Sequence, residues 1–154
     1  MILVWCISDG DKHFVHAIDE YSKRLGKMIQ IINHKPSKKD TIAQIVQEDT
    51  SYIIDKLKNA KTTRDRTIVL LSKDGVGKTT EQWKWLLEDT QNNSQDLIFL
   101  IGGPYGFDEK KLKWAIDLSL SFGSVTMPHG LVKLVLLEQI YRCMQIIDGK
   151  QYHY

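Results

Sequence analysis

Three stretches of the chain combine residue types at spacings that chemistry can use. Gly75-Val76-Gly77-Lys78-Thr79-Thr80 has the glycines, lysine and hydroxyls of a loop that wraps backbone amides around a phosphate at the start of a helix. The full pattern requires a Gly five residues before Gly77, where Ser72 stands, and a variant requires a Gly where Asp74 would aim a carboxylate at the phosphate. The strand that should supply a magnesium-binding Asp ends instead in Gly102-Gly103. The reading adopted is therefore a strand-to-helix turn with ordinary capping, and nucleotide binding by Gly75 to Thr80 stays a minor alternative. Ile101-Gly102-Gly103-Pro104-Tyr105-Gly106 is the second stretch. Two consecutive glycines let a ligand lie directly against the backbone, while Pro104 fixes a turn and biases Gly103 toward extended conformation. Third, His13 and His16 stand three apart on a helix, but no acidic or Cys partner lies at ligand spacing, so they read as surface residues and no metal is expected.

Charge adds little by itself. Twenty-one Lys and Arg against nineteen Asp and Glu leave a formal charge of +2, too small a field to prove a nucleic-acid partner. Two local clusters, Lys35-Lys38-Lys39 and Lys56-Lys58-Lys61-Arg64-Arg66, could track RNA phosphates, and solvated loop charge explains them as well. Cys6 and Cys143 sit within apolar segments at opposite ends of the chain, as buried small hydrophobes would, and suggest neither a disulfide framework nor a zinc site. The apolar run Met1 to Ile7 stops at Ser8-Asp9-Gly10-Asp11, far short of a membrane span and unlike a signal peptide. A cytoplasmic protein without a membrane partner is expected.

The elements that must position these stretches follow from periodicity. At 154 residues, 42% hydrophobic and 26% charged, the chain suits one globular domain over 1–154. Met1–Ile7 reads as a strand buried on both faces; Phe14, Ile18, Tyr21 and Leu25 recur at helical spacing; Met28–Ile32 is a second strand. After a polar loop around Pro36, Ile42, Ile45, Val46, Tyr52, Ile53 and Leu57 make a long amphipathic helix. Ile68–Leu71 is a third strand. Thr79 with Gln82 three residues on forms a capping box for a helix carrying Trp83, Trp85, Leu86 and Leu87. Leu97–Ile101 is a fourth strand, Asp108 caps a helix through Leu112, Ala115, Ile116 and Leu118, and Val125-Thr126-Met127 is a short fifth strand halted by Pro128. A last helix covers about Leu131 to Ile147. Five strands alternating with five helices specify an α/β sandwich with a mostly parallel sheet, whose ligand crevice lies in the loops after the strands: Ser72 to Lys78, Gly102 to Phe107, and Thr126 to Gly130.

The glycine turn, the run Leu120-Ser121-Phe122-Gly123-Ser124-Val125-Thr126-Met127-Pro128-His129, its continuation Leu131-Val132-Lys133-Leu134-Val135-Leu136-Leu137-Glu138-Gln139-Ile140-Tyr141-Arg142, and the tail Tyr152-His153 occur in a fixed order. In that order and spacing they resemble the bacterial ribosomal large subunit methyltransferase H family, SPOUT-class enzymes that methylate N3 of a pseudouridine in 23S rRNA. Glu20-Tyr21-Ser22-Lys23-Arg24-Leu25 resembles the family's first helix and Thr79-Thr80-Glu81 its third helix start, so the resemblance spans nearly the whole chain. It implies a SPOUT-type sandwich with a mostly parallel five- to six-stranded sheet and a C-terminal trefoil knot. It also implies S-adenosylmethionine held between knot loops at Leu71, Gly102 and the run Phe122, Gly123, Ser124, Val125, Thr126 and Met127, so a side chain at Gly102 is expected to block the slot. The partners implied are ribosomal RNA of the large subunit or assembled ribosome and a second copy of the chain that completes the pocket. His129, Tyr152 and His153 are the implied catalytic residues, positioning the base or assisting deprotonation. Lys133 and Arg142 are assigned to RNA, with an i, i+4 pair to Glu138 as the plainer role for Arg142. Ser72, Tyr105 and Lys133 depart from the family's usual acidic residue, small or acidic residue, and Arg. The segment before Tyr152 also differs, and Tyr105 with this altered tail motivates the second hypothesis, an RNA- or ribosome-binding module without turnover.

Overall fold

The computed structural model describes residues 1–60 and 65–152. In chain order the elements are β1 (Ile2–Ile7), α1 (Val15–Leu25), β2 (Ile29–His34), α2 (Ile42–Asn59), β3 (Arg66–Gly77), α3 (Thr80–Asn92), β4 (Asp96–Ile101), α4 (Glu109–Leu112), β5 (Leu118–Ser121) and α5 (His129–Ile147). The described strands form one sheet in the order β2-β1-β4-β3-β5, and every neighbouring pair is parallel. A parallel sheet has helices on both faces, which is why its central strands are apolar at successive positions. Val4, Cys6, Val69, Phe99 and Leu120 pack with α1, α3 and α5 on one face. Trp5, Ile7, Ile68, Leu70, Ile98 and Leu100 pack with α2 and α4 on the other.

Local signals explain the helix starts. Thr79 and Gln82 form the expected capping box, and Thr41 with Gln44 forms another at the head of α2. Each satisfies two amide donors that the first turn leaves without intrahelical partners.

Three elements differ from the sequence reading. Residues 125–127 are not a strand; the edge strand is Leu118–Ser121, four residues whose alternation of Leu and Ser gives too weak an apolar signal to stand out from the preceding helix. That helix is correspondingly short: α4 ends at Leu112, which is fully buried, and Leu118 belongs to β5. β3 also runs on to Gly77, through the would-be phosphate loop. Its register on β5 shifts between Leu71 and Val76, so Leu120 pairs with both and the intervening residues bulge out. A Cβ at Gly75 would lie 2.6 Å from the Leu120 backbone, so only glycine permits this approach. The glycine there serves strand packing and no phosphate cradle forms.

Candidate functional site

Because β4, β3 and β5 are adjacent and parallel, the loops at their carboxyl ends meet on one edge of the sheet. They enclose a cavity of about 830 Å³ lined by the β3 bulge, the turn 102–107 and the segment 120–129. The three loops named from sequence thus converge. Leu71, Gly102, Phe122, Gly123, Val125, Thr126, Met127 and His129 all line the cavity; Ser124 is in the same loop but not on its wall.

Each wall is held by a specific interaction. In the glycine turn, the Gly106 amide donates to the Gly103 carbonyl at 3.0 Å, and Gly106 has φ of 71°, in the left-handed region. A Cβ at Gly102 would come within 2.9 Å of Gly106 Cα, and one at Gly103 within 3.0 Å of Ile7 Cγ2. The paired glycines therefore let the turn fold onto itself and onto β1. A larger residue at Gly102 would deform the turn before it met any ligand, which corrects the expectation that it would simply plug the slot. The Asp108 amide donates to Thr50 Oγ1 at 2.9 Å, tying the far end of this turn to α2. In the third loop, Ser121 Oγ donates to the Gly123 carbonyl at 2.8 Å and accepts from the Gly123 amide at 3.0 Å, while the Phe122 ring stacks on Trp83 with centroids 5.4 Å apart.

His129 opens α5 at the cavity wall, its side chain 20% exposed, with Asp9 Oδ1 4.0 Å from Nε2. One turn along, Lys133 is fully buried. Its ammonium donates to the Asp11 carboxylate and, at 2.7 Å, to Asn33 Oδ1. Ser8 Oγ donates to the other Asp11 oxygen at 3.1 Å. Lys133 therefore cannot present its charge to RNA as expected; it clamps the β1–α1 loop onto the first turns of α5. Gly130 completes the fit, because a Cβ there would lie 2.9 Å from Phe14 Cδ2. Nothing in the sequence pattern pairs Asp11 with Lys133, which are 122 residues apart.

Tyr152 is not brought to this cavity. Its ring packs edge-on against Tyr141 at 5.5 Å, under the Arg142 guanidinium at 4.9 Å. Tyr141 lies twelve positions beyond His129 on α5, about 18 Å along the axis at 1.5 Å per residue. Arg142 takes the plainer of its expected roles, with Nη2 2.8 Å from Glu138 Oε1. His153 lies outside the described residues, as do Lys61 and Arg64 of the second basic cluster.

Burial pushes the thiols of Cys6 and Cys143 up to about 11 from an ordinary 9.0. Both are free and buried. Among the described residues no group of three or more His, Cys, Asp or Glu gathers as a metal site, and no helix is long and apolar enough to cross a membrane.

A family model described as "Predicted SPOUT methyltransferase" matches residues 1–153. The chain is 37% identical to a Ribosomal RNA large subunit methyltransferase H from Lysinibacillus sphaericus, over 93% of this chain and 92% of that relative. A protein of the same name from Streptococcus suis is 36% identical over the same shares. One from Mesoplasma florum is 32% identical over 99% of this chain and 98% of its own.

Proposed function

The chain belongs to the SPOUT methyltransferase family, and from that premise we propose that it methylates N3 of a pseudouridine in the 23S rRNA of the large ribosomal subunit. The observation that carries the reading is the convergence of Leu71, Gly102 and the Phe122–Met127 loop on one cavity at the carboxyl edge of the sheet. S-adenosylmethionine is the methyl donor of the family, and the cavity's residues fit it. Leu71, Met127 and Val132 offer an apolar slot for the adenine; Asp74 and Glu109 carry charge opposite to the ammonium and sulfonium; Lys73 is opposite to the carboxylate. Bound there, it supplies a methyl group already activated on sulfur, so the protein needs to align the nucleophile and accept one proton.

His129 takes that part. Its position on the cavity wall, with the Asp9 carboxylate 4.0 Å from Nε2, supports its receiving the N3 proton as the methyl group is accepted by N3. Tyr152 and His153 act in the cavity of a second copy, since Tyr152 packs on Tyr141, about 18 Å along α5 from His129. The homodimer this requires is supported by α5, where Leu131 and Val135 remain half-buried on a helix already apolar on its inner face. Arg142, stacked on Tyr152, positions the tail. The trefoil knot of the C-terminal part and a cytoplasmic location belong to the same reading.

The test begins with calorimetry. S-adenosylmethionine is titrated into the wild type and into Thr126→Trp, which adds bulk at an exposed loop position on the cavity wall. Saturable binding that the variant loses is expected, followed by methyl transfer to undermethylated large subunits. Absence of binding to the wild type would sink the reading; binding without transfer to any ribosomal particle would leave a non-catalytic module.

A further inference from the structure

Tyr105 stands apart from the other described tyrosines. Tyr21, Tyr52, Tyr141 and Tyr152 each pack against another ring. Tyr105 makes no ring contact or hydrogen bond with any described residue and is 51% exposed, yet it lines the cavity. Its backbone is anything but loose: Pro104 precedes it, the Gly103–Gly106 hydrogen bond closes the turn around it, and Thr50 anchors the end of that turn. A rigid turn thus holds an uncovered aromatic ring at the mouth. The same cavity is also lined by the 120–129 segment, which presents Val125, 65% exposed, with Met127 and Pro128. At about 830 Å³ the cavity lies in the upper part of the range of about 300–1,000 Å³ that single small-molecule sites occupy, which leaves room beside a cofactor.

We propose that Tyr105 is the stacking platform for the target base, which enters the cavity unstacked from its RNA neighbours and lies between the Tyr105 ring and the Val125–Pro128 wall. Enzymes that do chemistry on a base take it out of its stack and hold it against aromatic or apolar side chains. Unpaired RNA bases are gripped in the same way, and the grip needs a π face and no hydrogen bond. Tyr105 is a substrate-positioning residue: it sets base orientation and leaves cofactor affinity alone. The inference rests on the methyltransferase reading above.

The test compares wild type, Tyr105→Ala and Tyr105→Phe, since an exposed loop side chain can be truncated without unfolding the chain. Two quantities are read for each: calorimetric affinity for S-adenosylmethionine, and transfer of labelled methyl groups to large subunits lacking the modification. Tyr105→Ala is expected to keep cofactor affinity within about twofold and to lower kcat/KM for the subunits by about 5- to 150-fold, the range for one lost base–aromatic stack. Tyr105→Phe should return to within about twofold of wild type. Unchanged transfer by Tyr105→Ala would overturn the proposal, as would a parallel loss of cofactor affinity, which would make the ring part of the cofactor slot. Tyr105→Phe as impaired as Tyr105→Ala would assign the effect to the hydroxyl and overturn stacking. If wild-type protein itself transfers no methyl to any ribosomal particle, the methyltransferase reading fails and this inference with it, an outcome distinct from the other three.

Discussion

Lys133 carries a charge that the fold has wholly removed from water. Its pairing with Asp11 and Asn33 satisfies that charge, so the energetic consequence appears when one partner is lost. Lys133→Ala would leave the Asp11 carboxylate, only 7% exposed, without its cation, and breaking such a buried pair costs about 3–5 kcal/mol. Denaturant unfolding should register a loss of that size, and a change below about 1 kcal/mol would contradict the clamp. The two thiols make a pH prediction. In the folded chain they ionise near 11, and in the unfolded chain near 9.0. The raised folded value means that their contribution to stability is complete below about pH 9 and is lost as pH rises through about 11. Thermal melts of wild type should fall more steeply over that window than those of a Cys6→Ala, Cys143→Ala double variant; parallel slopes would refute the assignment.

At the scale of elements, the stretch from Gly75 to Thr80 separates two roles that sequence motifs confuse. Gly75 is required by the close approach of β3 and β5, whereas Lys78 lies beyond the strand end. Gly75→Val should open the β3–β5 pairing, seen as faster amide exchange in Leu118–Ser121 and lost cofactor affinity, because residues of both strands line the cavity. Lys78→Ala should shift stability by no more than about 0.5 kcal/mol, as surface changes usually do. A Lys78→Ala variant that lost ATP or GTP binding present in the wild type would instead revive the nucleotide reading. The short α4 and displaced β5 show where periodicity is weakest. Four-residue elements contain too few positions for a period to be counted, and pairing partners decide them.

For the whole molecule, the decisive geometry is the length of α5. It keeps His129 at the cavity and Tyr152 beside Tyr141, about 18 Å along the same helix, so the composite site proposed above requires two chains. A His129→Ala subunit and a Tyr152→Ala subunit should each be nearly inactive alone. Mixed dimers should recover activity, because one cavity then pairs an intact His129 with an intact Tyr152. Methyl transfer by the mixed species, against the separate homodimers, measures this directly; no recovery would argue that the tail does not work in trans.

Much of this arrangement was legible in the residues. Continuous apolar runs marked β1 and β4, capping pairs marked α3, and glycine and polar loops after the strands marked the cavity walls, because backbone preference and burial are properties of short segments. The family resemblance likewise rested on local blocks in order. Tertiary structure alone decided the rest. It paired Asp11 with Lys133 across 122 residues, turning an expected RNA contact into a buried clamp. It also drew β3 onto Leu120, making Gly75 a packing glycine, and set Tyr152 far from its own cavity. Those outcomes depend on which distant segments meet, and no local pattern encodes a contact whose energy arises only when both partners leave water together.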